Sequence, residues 1–175
     1  IILQPFLTAW FMYLFLRALG LGWGGSIFGA FTFALSGFAI VWWEESYMSG
    51  YSMMALPLVL YAVERLGKQI DRWGFFLLVV SIVWSIVSGW FQMTIYVVLL
   101  TGLWTAYRIK IKNLALRVLP VIVGAAGVAL AISGVHLIPG FEAYLYSARG
   151  TSDAKYLFDA YLLPLKNLVT LIAPD

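Results

Sequence analysis

Long apolar runs separated by short polar connections make up nearly all of this chain. About 20 apolar residues, at about 1.5 Å per residue of helix, cover the hydrocarbon layer of a bilayer, which is about 30 Å thick. The runs are continuous and do not alternate apolar with polar residues, so they predict helices and not the strands of a membrane barrel. The pattern predicts an all-α fold, a polytopic helical transmembrane bundle. Six spans are expected, at residues 1–19, 24–43, 53–66, 73–88, 91–107 and 114–138.

Two shorter segments are expected after the sixth span. Pro139 and Gly140 predict its end on the outer side of the membrane, since proline interrupts helical hydrogen bonding. In the segment 141–159, the first apolar side chains share one helical face, as in a helix that lies in the membrane interface. Residues 161–173 are expected to form a short apolar helix. Residues 1–175 are interpreted as a single transmembrane domain and as a fragment of a longer protein, because the chain begins without methionine and ends directly after an apolar run.

Two of the predicted spans have features that bear on packing. In the second, small residues recur near every fourth position, a spacing that lets helix backbones approach closely. These residues are Gly25, Gly29, Ser36 and Gly37. The third span, 53–66, is only about 21 Å long as a helix and contains Pro57. It is therefore expected where the bilayer is locally thin, or among neighbouring helices where it opens toward a cavity.

Composition supports a membrane environment. Hydrophobic residues make up 63% of the chain and charged residues 11%, whereas soluble domains carry about 25% charge. The net charge of +3 could suggest nucleic acid, but most basic residues fall in alternate connections between the predicted spans. These are Arg17, Arg65, Lys68, Arg72, Arg108, Lys110, Lys112 and Arg117, and the others are Arg149, Lys155 and Lys166. Because basic residues concentrate in cytoplasmic loops, the distribution predicts the orientation, with membrane lipids and not nucleic acid as partners.

This orientation predicts the environment of several polar residues. The acidic turn at 44–52 faces the outer side, and the basic connection at 108–113 meets anionic headgroups on the cytoplasmic side. The tight connection between the fourth and fifth spans is expected to bring a polar group together at the outer surface, namely Ser85, Ser88, Gly89 and Gln92. Glu64 and Arg65 are expected to form an ion pair at the inner edge of the third span.

Few residues are available for chemistry. The chain has no cysteine and one histidine, which excludes disulfides, zinc-thiolate sites and multi-histidine metal sites. Ionisable groups inside spans are costly to bury and are therefore candidates for function. His136 lies about one turn from the outer end of its predicted span. It could donate a hydrogen bond to the carbonyl of Ser133 or Ile132 or to a neighbouring helix, or it could line an outward-facing cavity.

Two carboxylates and an arginine on the outer side are the remaining candidates. Glu44 and Glu45 could share a proton or hold a divalent metal, or could form a solvated turn. Adjacent residues of a helix do not face each other, so a joint site requires a non-helical turn there. Arg149 is a cation on the side where cations are scarce. Its guanidinium could hold a phosphate through two hydrogen bonds, or could pair with Glu142 or Asp153, or could extend to the surface.

Six short motifs occur in an order and at separations that are similar to those of a known family. They are FALSGF at 33–38, ALPL at 55–58, SGWFQ at 88–92, HLIP at 136–139, SARG at 147–150 and LIAPD at 171–175. On these motifs the chain resembles the bacterial YfhO-like membrane proteins, which belong with the GT-C type of glycosyltransferases that use lipid-linked sugars. The resemblance extends over nearly all of the chain.

The resemblance implies a multi-pass protein of the bacterial cytoplasmic membrane that moves a sugar from a polyprenyl-phosphate donor to a cell-envelope acceptor on the outer face. It also implies that the catalytic carboxylate lies in an outer loop upstream of this chain, with Glu44 or Glu45 as substitutes. Arg149 would then bind the donor phosphate, with His136 and Gln92 lining the site. The leaving phosphate needs a cation, from arginine or from a divalent metal. A transporter or lipid flippase and a scaffold without chemistry are the alternatives; the internal repeat that would favour a transporter is not found.

Overall fold

The computed structural model describes residues 3–111 and 116–146, and the regular secondary structure of this part of the chain is entirely helical. The helices there are α1 (Leu3–Ala18), α2 (Trp23–Ala34), α3 (Gly37–Glu45), α4 (Tyr47–Lys68), α5 (Arg72–Val87), α6 (Phe91–Lys110), a 3-10 helix (Leu116–Val118) and α7 (Leu119–Leu145). The predicted all-α class is confirmed. The chain divides into two compact units, Ile1–Gly134 and Val135–Asp175. The described part of the second unit is the C-terminal end of α7.

Helix α4 is the centre of the first unit. It contacts α1, α3, α5 and α6. Its buried apolar side chains form the main core together with residues of α5, α6, the 3-10 helix and α7, namely Val59, Ala62, Val63, Leu66, Leu78, Val79, Val97, Val118, Ala125 and Ala129. Because neighbours cover α4 on several sides, its backbone is held by packing along most of its length.

Helix α4 is longer than the sequence predicts. The structure extends the predicted segment, 53–66, to Tyr47–Lys68, which is 22 residues or about 33 Å. Pro57 lies inside the helix without ending it. The prediction of an unusually short span is therefore wrong. The predicted turn at 44–52 is wrong as well, because only Ser46 separates α3 from α4.

The predicted second span, 24–43, consists of two helices. Helix α2 ends at Ala34, α3 begins at Gly37, and the two are bent by 41°. Ser36 accounts for the new start, because its side-chain oxygen accepts a hydrogen bond from the Ala39 N–H at 3.3 Å. A serine at this N-cap position satisfies a backbone donor that a helix start leaves without a partner.

Small residues form the buried face of α2, but one position away from the predicted ones. The buried residues at a spacing of four are Ser26, Ala30 and Ala34. Gly29 is also needed for the close approach of α1, since a Cβ atom there would lie 2.6 Å from the Leu16 side chain. The prediction of a small-residue seam is correct in kind, but its register is wrong by one residue. The helix break at Ser36 separately removes the second half of the predicted pattern.

Helix α7 continues past its predicted end. It runs through Pro139 to Leu145, because a proline removes one helical hydrogen bond while the apolar turns on both sides keep theirs. The predicted end at Pro139 and the separate interfacial helix from 141 are therefore wrong for the described residues. The rest of the segment 141–159 and the apolar helix 161–173 lie outside the described residues.

The described helices differ in their suitability as membrane spans. The stretch Leu116–Leu145 is long and apolar enough to cross a membrane, and the bent pair α2 and α3 is a second such stretch if it is counted as one span. Helix α5 is apolar but shorter. Helices occur at the positions of all six predicted spans. By length and composition alone, one or two of them are able to cross a membrane.

The distribution of polar and apolar side chains between surface and interior is unusual for a soluble protein. Large apolar side chains are exposed on α1, α2, α5, α6 and α7, for example Phe28 at 75% and Leu103 at 68%. Small polar side chains are buried among the helices, including Thr8, Ser26, Ser49, Ser52, Ser81, Ser85, Thr94 and Ser133. The surface of the described residues is therefore largely apolar, and hydroxyl groups occupy much of the interior.

Candidate functional site

A buried ion pair joins α4 and α6 near their C-terminal ends. The Glu64 side chain is only 2% exposed. Its Oε2 accepts a hydrogen bond from Arg108 Nη2 at 2.7 Å, and its Oε1 accepts one from Trp104 Nε1 at 2.8 Å. The Arg108 guanidinium also lies over the Trp104 ring, 5.7 Å from its centroid. Phe15 of α1 packs edge-on against the same ring, with centroids 5.4 Å apart. We call Glu64, Trp104, Arg108 and Phe15 the Glu64 cluster.

The helix directions explain how these distant residues meet. Helices α4 and α6 run the same way, since α5 returns the chain between them, and both end in basic residues. Glu64 lies one turn before the end of α4, and Arg108 lies two residues before the end of α6. Trp104 is one turn before Arg108, so both side chains project from the same face of α6. The expected pair between Glu64 and Arg65 is wrong, because these adjacent residues point to different neighbours.

Arg65 instead pairs with Asp71 in the connection between α4 and α5. Its Nη2 lies 2.5 Å from Asp71 Oδ2. Asp71 also caps α5, because its Oδ1 accepts a hydrogen bond from the Gly74 N–H at 2.7 Å. The hydrogen bond from Arg65, and then that from Gly74, hold the pKa of Asp71 below its usual value.

The cations of the described residues share one end of the bundle, which we call the basic end. Lys68, in the last turn of α4, donates to the Ala18 carbonyl at the end of α1. Arg17 of α1 donates to the Leu21 carbonyl at 2.6 Å. The remaining cations are at helix ends that these contacts bring to the same side, namely Arg65, Arg72, Arg108, Lys110 and Arg117. The alternation of basic connections in the sequence therefore corresponds to a spatial cluster.

A group of buried hydroxyls lies at the opposite end, where α5 turns into α6. Thr94 Oγ1 lies 2.7 Å from the Ser85 carbonyl oxygen and 3.2 Å from Ser85 Oγ, and Ser52 of α4 donates to the Ser85 carbonyl at 3.3 Å. Gly89 makes the turn possible with a φ of 84°, a conformation that favours glycine. The predicted polar group at the outer surface is wrong for Ser85, which is buried between helices because α4 approaches this turn closely.

Tryptophans surround this end of the bundle. The rings of Trp42 and Trp90 have centroids 6.1 Å apart. The Trp43 ring packs against Gly50, where a Cβ atom would lie 2.3 Å from Trp43 Cδ1. The Nε1 atoms of Trp43 and Trp90 are buried and find no acceptor among the described residues. This tight aromatic packing joins α3, α4 and the α5–α6 turn.

Three of the five predicted site residues have described side chains, and each is located separately. Gln92 is exposed in the first turn of α6 and donates to Tyr96 Oη at 2.9 Å. His136 is exposed on α7, in the second compact unit. Arg149 lies outside the described residues. Glu44 is exposed at the end of α3; the backbone of Glu45 is helical too, so the non-helical turn that a joint site requires is not formed, and the Glu45 side chain lies outside what the structure describes.

Residues 3–111 and 116–146 contain no group of three or more histidine, aspartate or glutamate side chains placed to hold a metal ion. None of the five predicted site residues belongs to such a group within the described segments.

An apolar groove of about 820 Å³ runs along α5 and is bounded by α4 and α7. It extends from Phe75 and Phe76 near the basic end to Ser88 at the opposite end, about 20 Å along the helix. Four valines of α5 and one of α7 are among the twelve residues of its wall. Tyr51, Trp84 and Ser88, close to the α5–α6 turn, supply the polar atoms of its lining side chains. The groove is therefore suited to a long apolar molecule whose polar end lies near this turn.

The Glu64 cluster and the groove are the features that sequence reasoning missed. The sequence contains a usable signal for the cluster. An acid lies one turn before the end of one helix, and a basic residue lies at the matching depth of the next helix that runs in the same direction. The described residues define an all-helical bundle with an apolar surface, a buried ion pair and an apolar groove. Comparison with protein-family models, with curated proteins and with solved structures finds no match for this chain.

Proposed function

We propose that the chain is a six-span part of an integral protein of the bacterial cytoplasmic membrane, with its basic end in the cytoplasm. The apolar surface supports this, since exposed Phe, Leu, Val and Trp side chains are stable against lipid. The interior hydroxyls support it as well, because small polar residues are common where membrane helices approach closely. Clustering of the described cations at one end agrees with the positive-inside distribution.

Within that membrane arrangement, we propose that the protein transfers a sugar from a polyprenyl-phosphate donor to a cell-envelope acceptor at the outer face. The observation that carries the proposal is the apolar groove along α5. Its apolar lining suits an isoprenoid chain, and its polar end lies beside the turn that contains the 88–92 motif. Gln92 follows this turn and is exposed, which suits a contact with a headgroup.

The donor phosphate requires a cation at the outer end. The cations of the described residues lie at the basic end, away from Ser88 and Gln92. Arg149 follows α7 in sequence and belongs to the segment predicted on the outer side, so it is the residue to which we assign the phosphate. His136 is assigned to the lining of the same site. In this proposal the groove positions the lipid and Arg149 stabilises the leaving phosphate.

The test uses the full-length protein in membranes and a radiolabelled polyprenyl-phosphate sugar. We expect Arg149→Ala to abolish transfer while membrane insertion is retained, and Arg149→Lys to restore part of it, because lysine keeps the charge without the bidentate geometry. Unchanged transfer by Arg149→Ala would remove this residue from the site.

A groove variant tests the lipid contact separately. Val80→Trp should fill the groove and raise KM for a long-chain donor more than for a short-chain one. Val123→Trp is the matched control, because Val123 is 64% exposed on α7 and does not line the groove. Equal effects of the two substitutions would exclude the groove as the donor site.

A lipid flippase or transporter is the second candidate, and the break between α2 and α3 favours it. Discontinuous helices with a bend are typical of transporter binding sites. Proteoliposomes distinguish the two functions. A flippase moves the intact lipid-linked sugar between leaflets without an acceptor, whereas a transferase forms a glycosylated acceptor and releases polyprenyl phosphate.

A further inference from the structure

A second apolar cleft, of about 570 Å³, lies between α6 and α7 and reaches α4 and α5 at its base. It shares no lining residue with the groove along α5. On α6 it extends from Val97 to Lys110, which is about 20 Å of helix. We call it the α6–α7 cleft. Its volume is within the range of about 300–1,000 Å³ that is usual for small-molecule sites.

The polar groups of the α6–α7 cleft are unequally distributed. Its wall is aliphatic except for Thr101, Thr105 and Lys110. Thr105 donates to the Thr101 carbonyl at 2.8 Å, so that hydroxyl is satisfied within the helix. Lys110 is exposed at the basic end, and no carboxylate of the described residues forms an ion pair with it. The cleft thus combines an apolar channel with a cation at one mouth.

We propose that the α6–α7 cleft binds one anionic phospholipid of the cytoplasmic leaflet, with an acyl chain along the cleft and the phosphate on Lys110. This inference rests on the proposed membrane location. Half of the hydrocarbon layer is about 15 Å thick, so a chain that starts at the depth of Lys110 fits within the length of the cleft. A cation at the membrane surface attracts anionic headgroups, which sets the charge of the lipid.

The polyprenyl donor of the proposed reaction is a poorer occupant of this cleft. Its phosphate is expected at the outer face, whereas Lys110 lies at the basic end. An aqueous phosphate ion would use the lysine but leave the apolar wall without a role. A bilayer phospholipid matches both the cation and the channel, and its headgroup is already on the side where Lys110 lies.

Gly102 provides a way to fill the cleft without disturbing the helices. It lines the cleft, and a Cβ atom added there would have no neighbour within 4 Å. Gly102→Phe should therefore place its ring in the channel. Gly124→Phe is the matched control, because Gly124 on α7 is equally open and lies outside the cleft lining. Arg72→Gln is the matched control for Lys110→Gln, since Arg72 is an exposed cation of the same end that does not line the cleft.

The experiment is native mass spectrometry of the full-length protein in detergent with added phosphatidylglycerol or phosphatidylcholine of identical acyl chains. We expect the wild type to retain one phosphatidylglycerol several-fold better than phosphatidylcholine. Lys110→Gln should abolish this preference, and Gly102→Phe should abolish retention of either lipid. Gly124→Phe and Arg72→Gln should behave as the wild type.

Equal retention of the two lipids by the wild type, or retention of phosphatidylglycerol unchanged in Lys110→Gln, overturns the proposal. Lipid retention that is unchanged in a correctly inserted Gly102→Phe variant overturns the proposal as well. Sugar transfer is measured on the same preparations. If the lipids are retained as expected but no sugar is transferred, the transferase proposal alone fails. If sugar is transferred but the lipids are not retained as expected, the cleft proposal alone fails.

Discussion

Arg108 donates to the Glu64 carboxylate across 2.7 Å, although 44 residues separate the two in the chain. The acid is almost completely buried, and Trp104 satisfies its second oxygen. Arg108 is more accessible, with 18% of its side chain exposed. The pair fixes the depth at which α4 and α6 lie beside each other. Sliding one helix along the other would leave the buried Glu64 carboxylate without its cation.

Replacing one member of this pair should destabilise the bundle strongly. We expect Arg108→Leu to cost about 3–5 kcal/mol of unfolding free energy, since it leaves the Glu64 carboxylate buried without its cation. The measurement is denaturant unfolding of the purified full-length protein. The double variant Glu64→Leu with Arg108→Leu should be more stable than Arg108→Leu alone. A loss no larger than that of Arg72→Gln, a substitution of an exposed cation, would mean that the pair is not buried in the folded protein.

The Arg65–Asp71 pair predicts a dependence of stability on acid. The pKa of Asp71 is lowered in the folded protein by the Arg65 guanidinium and by the Gly74 N–H. Its carboxylate therefore stabilises the fold above the pKa of an unfolded aspartate, about 4, and this contribution is lost as the pH falls through the lowered pKa. We expect Asp71→Asn to have a lower Tm than the wild type at pH 7 and to differ from it less at pH 3. A constant difference over this range would contradict the assignment.

Two glycines should respond oppositely to alanine. Gly50→Ala places a methyl group against the Trp43 ring and should cost about 1–3 kcal/mol, because the packing there cannot accept it without movement. Gly102→Ala places its methyl in open space and should be neutral or stabilising, as alanine favours helices by about 1 kcal/mol. Thermal unfolding of both variants checks this. Similar shifts of Tm would show that Trp43 does not pack tightly on Gly50.

The orientation in the membrane can be tested on a chain that has no cysteine of its own. Gln69 and Glu44 are exposed at opposite ends of the bundle. We expect Glu44→Cys in intact cells to react with a membrane-impermeant maleimide, and Gln69→Cys to react only after permeabilisation. The reverse pattern would invert the proposed topology and remove the basis for assigning Arg149 to an outer site.

Continuous apolar runs predicted the places of the helices well. Their number and ends were predicted less well, because the second predicted span is two helices and α7 continues past Pro139. The predicted fourth span, 73–88, and α5 differ by one residue at each end, and Asp71 and Gly89 mark these ends in the structure. The break at Ser36 was missed because apolar residues continue across it. The early start of α4 was missed because Ser49 and Ser52, polar in sequence, are buried by neighbouring helices.

Long-range contacts were the least predictable part of the candidate site. Glu64 was assigned to Arg65 on sequence proximity, whereas the true partner depends on which helices run in the same direction. The groove along α5 also depends on how α4 and α7 diverge, which no local pattern encodes. Gln92 follows the α5–α6 turn, which the positive φ of Gly89 fixes locally, and its role stays a prediction. Arg149 and its role stay a prediction.

The separation of Glu64 from Arg108 has a consequence for biosynthesis. In the proposed membrane arrangement the ribosome completes α4 before α5 and α6 exist, so a nascent α4 carries an acid whose counter-charge has yet to be translated. Until then the carboxylate lacks its partner and must stay in contact with water. The contact that joins α4 to α6 can therefore form only after α6 has been translated, which makes the final assembly of this bundle dependent on a late segment.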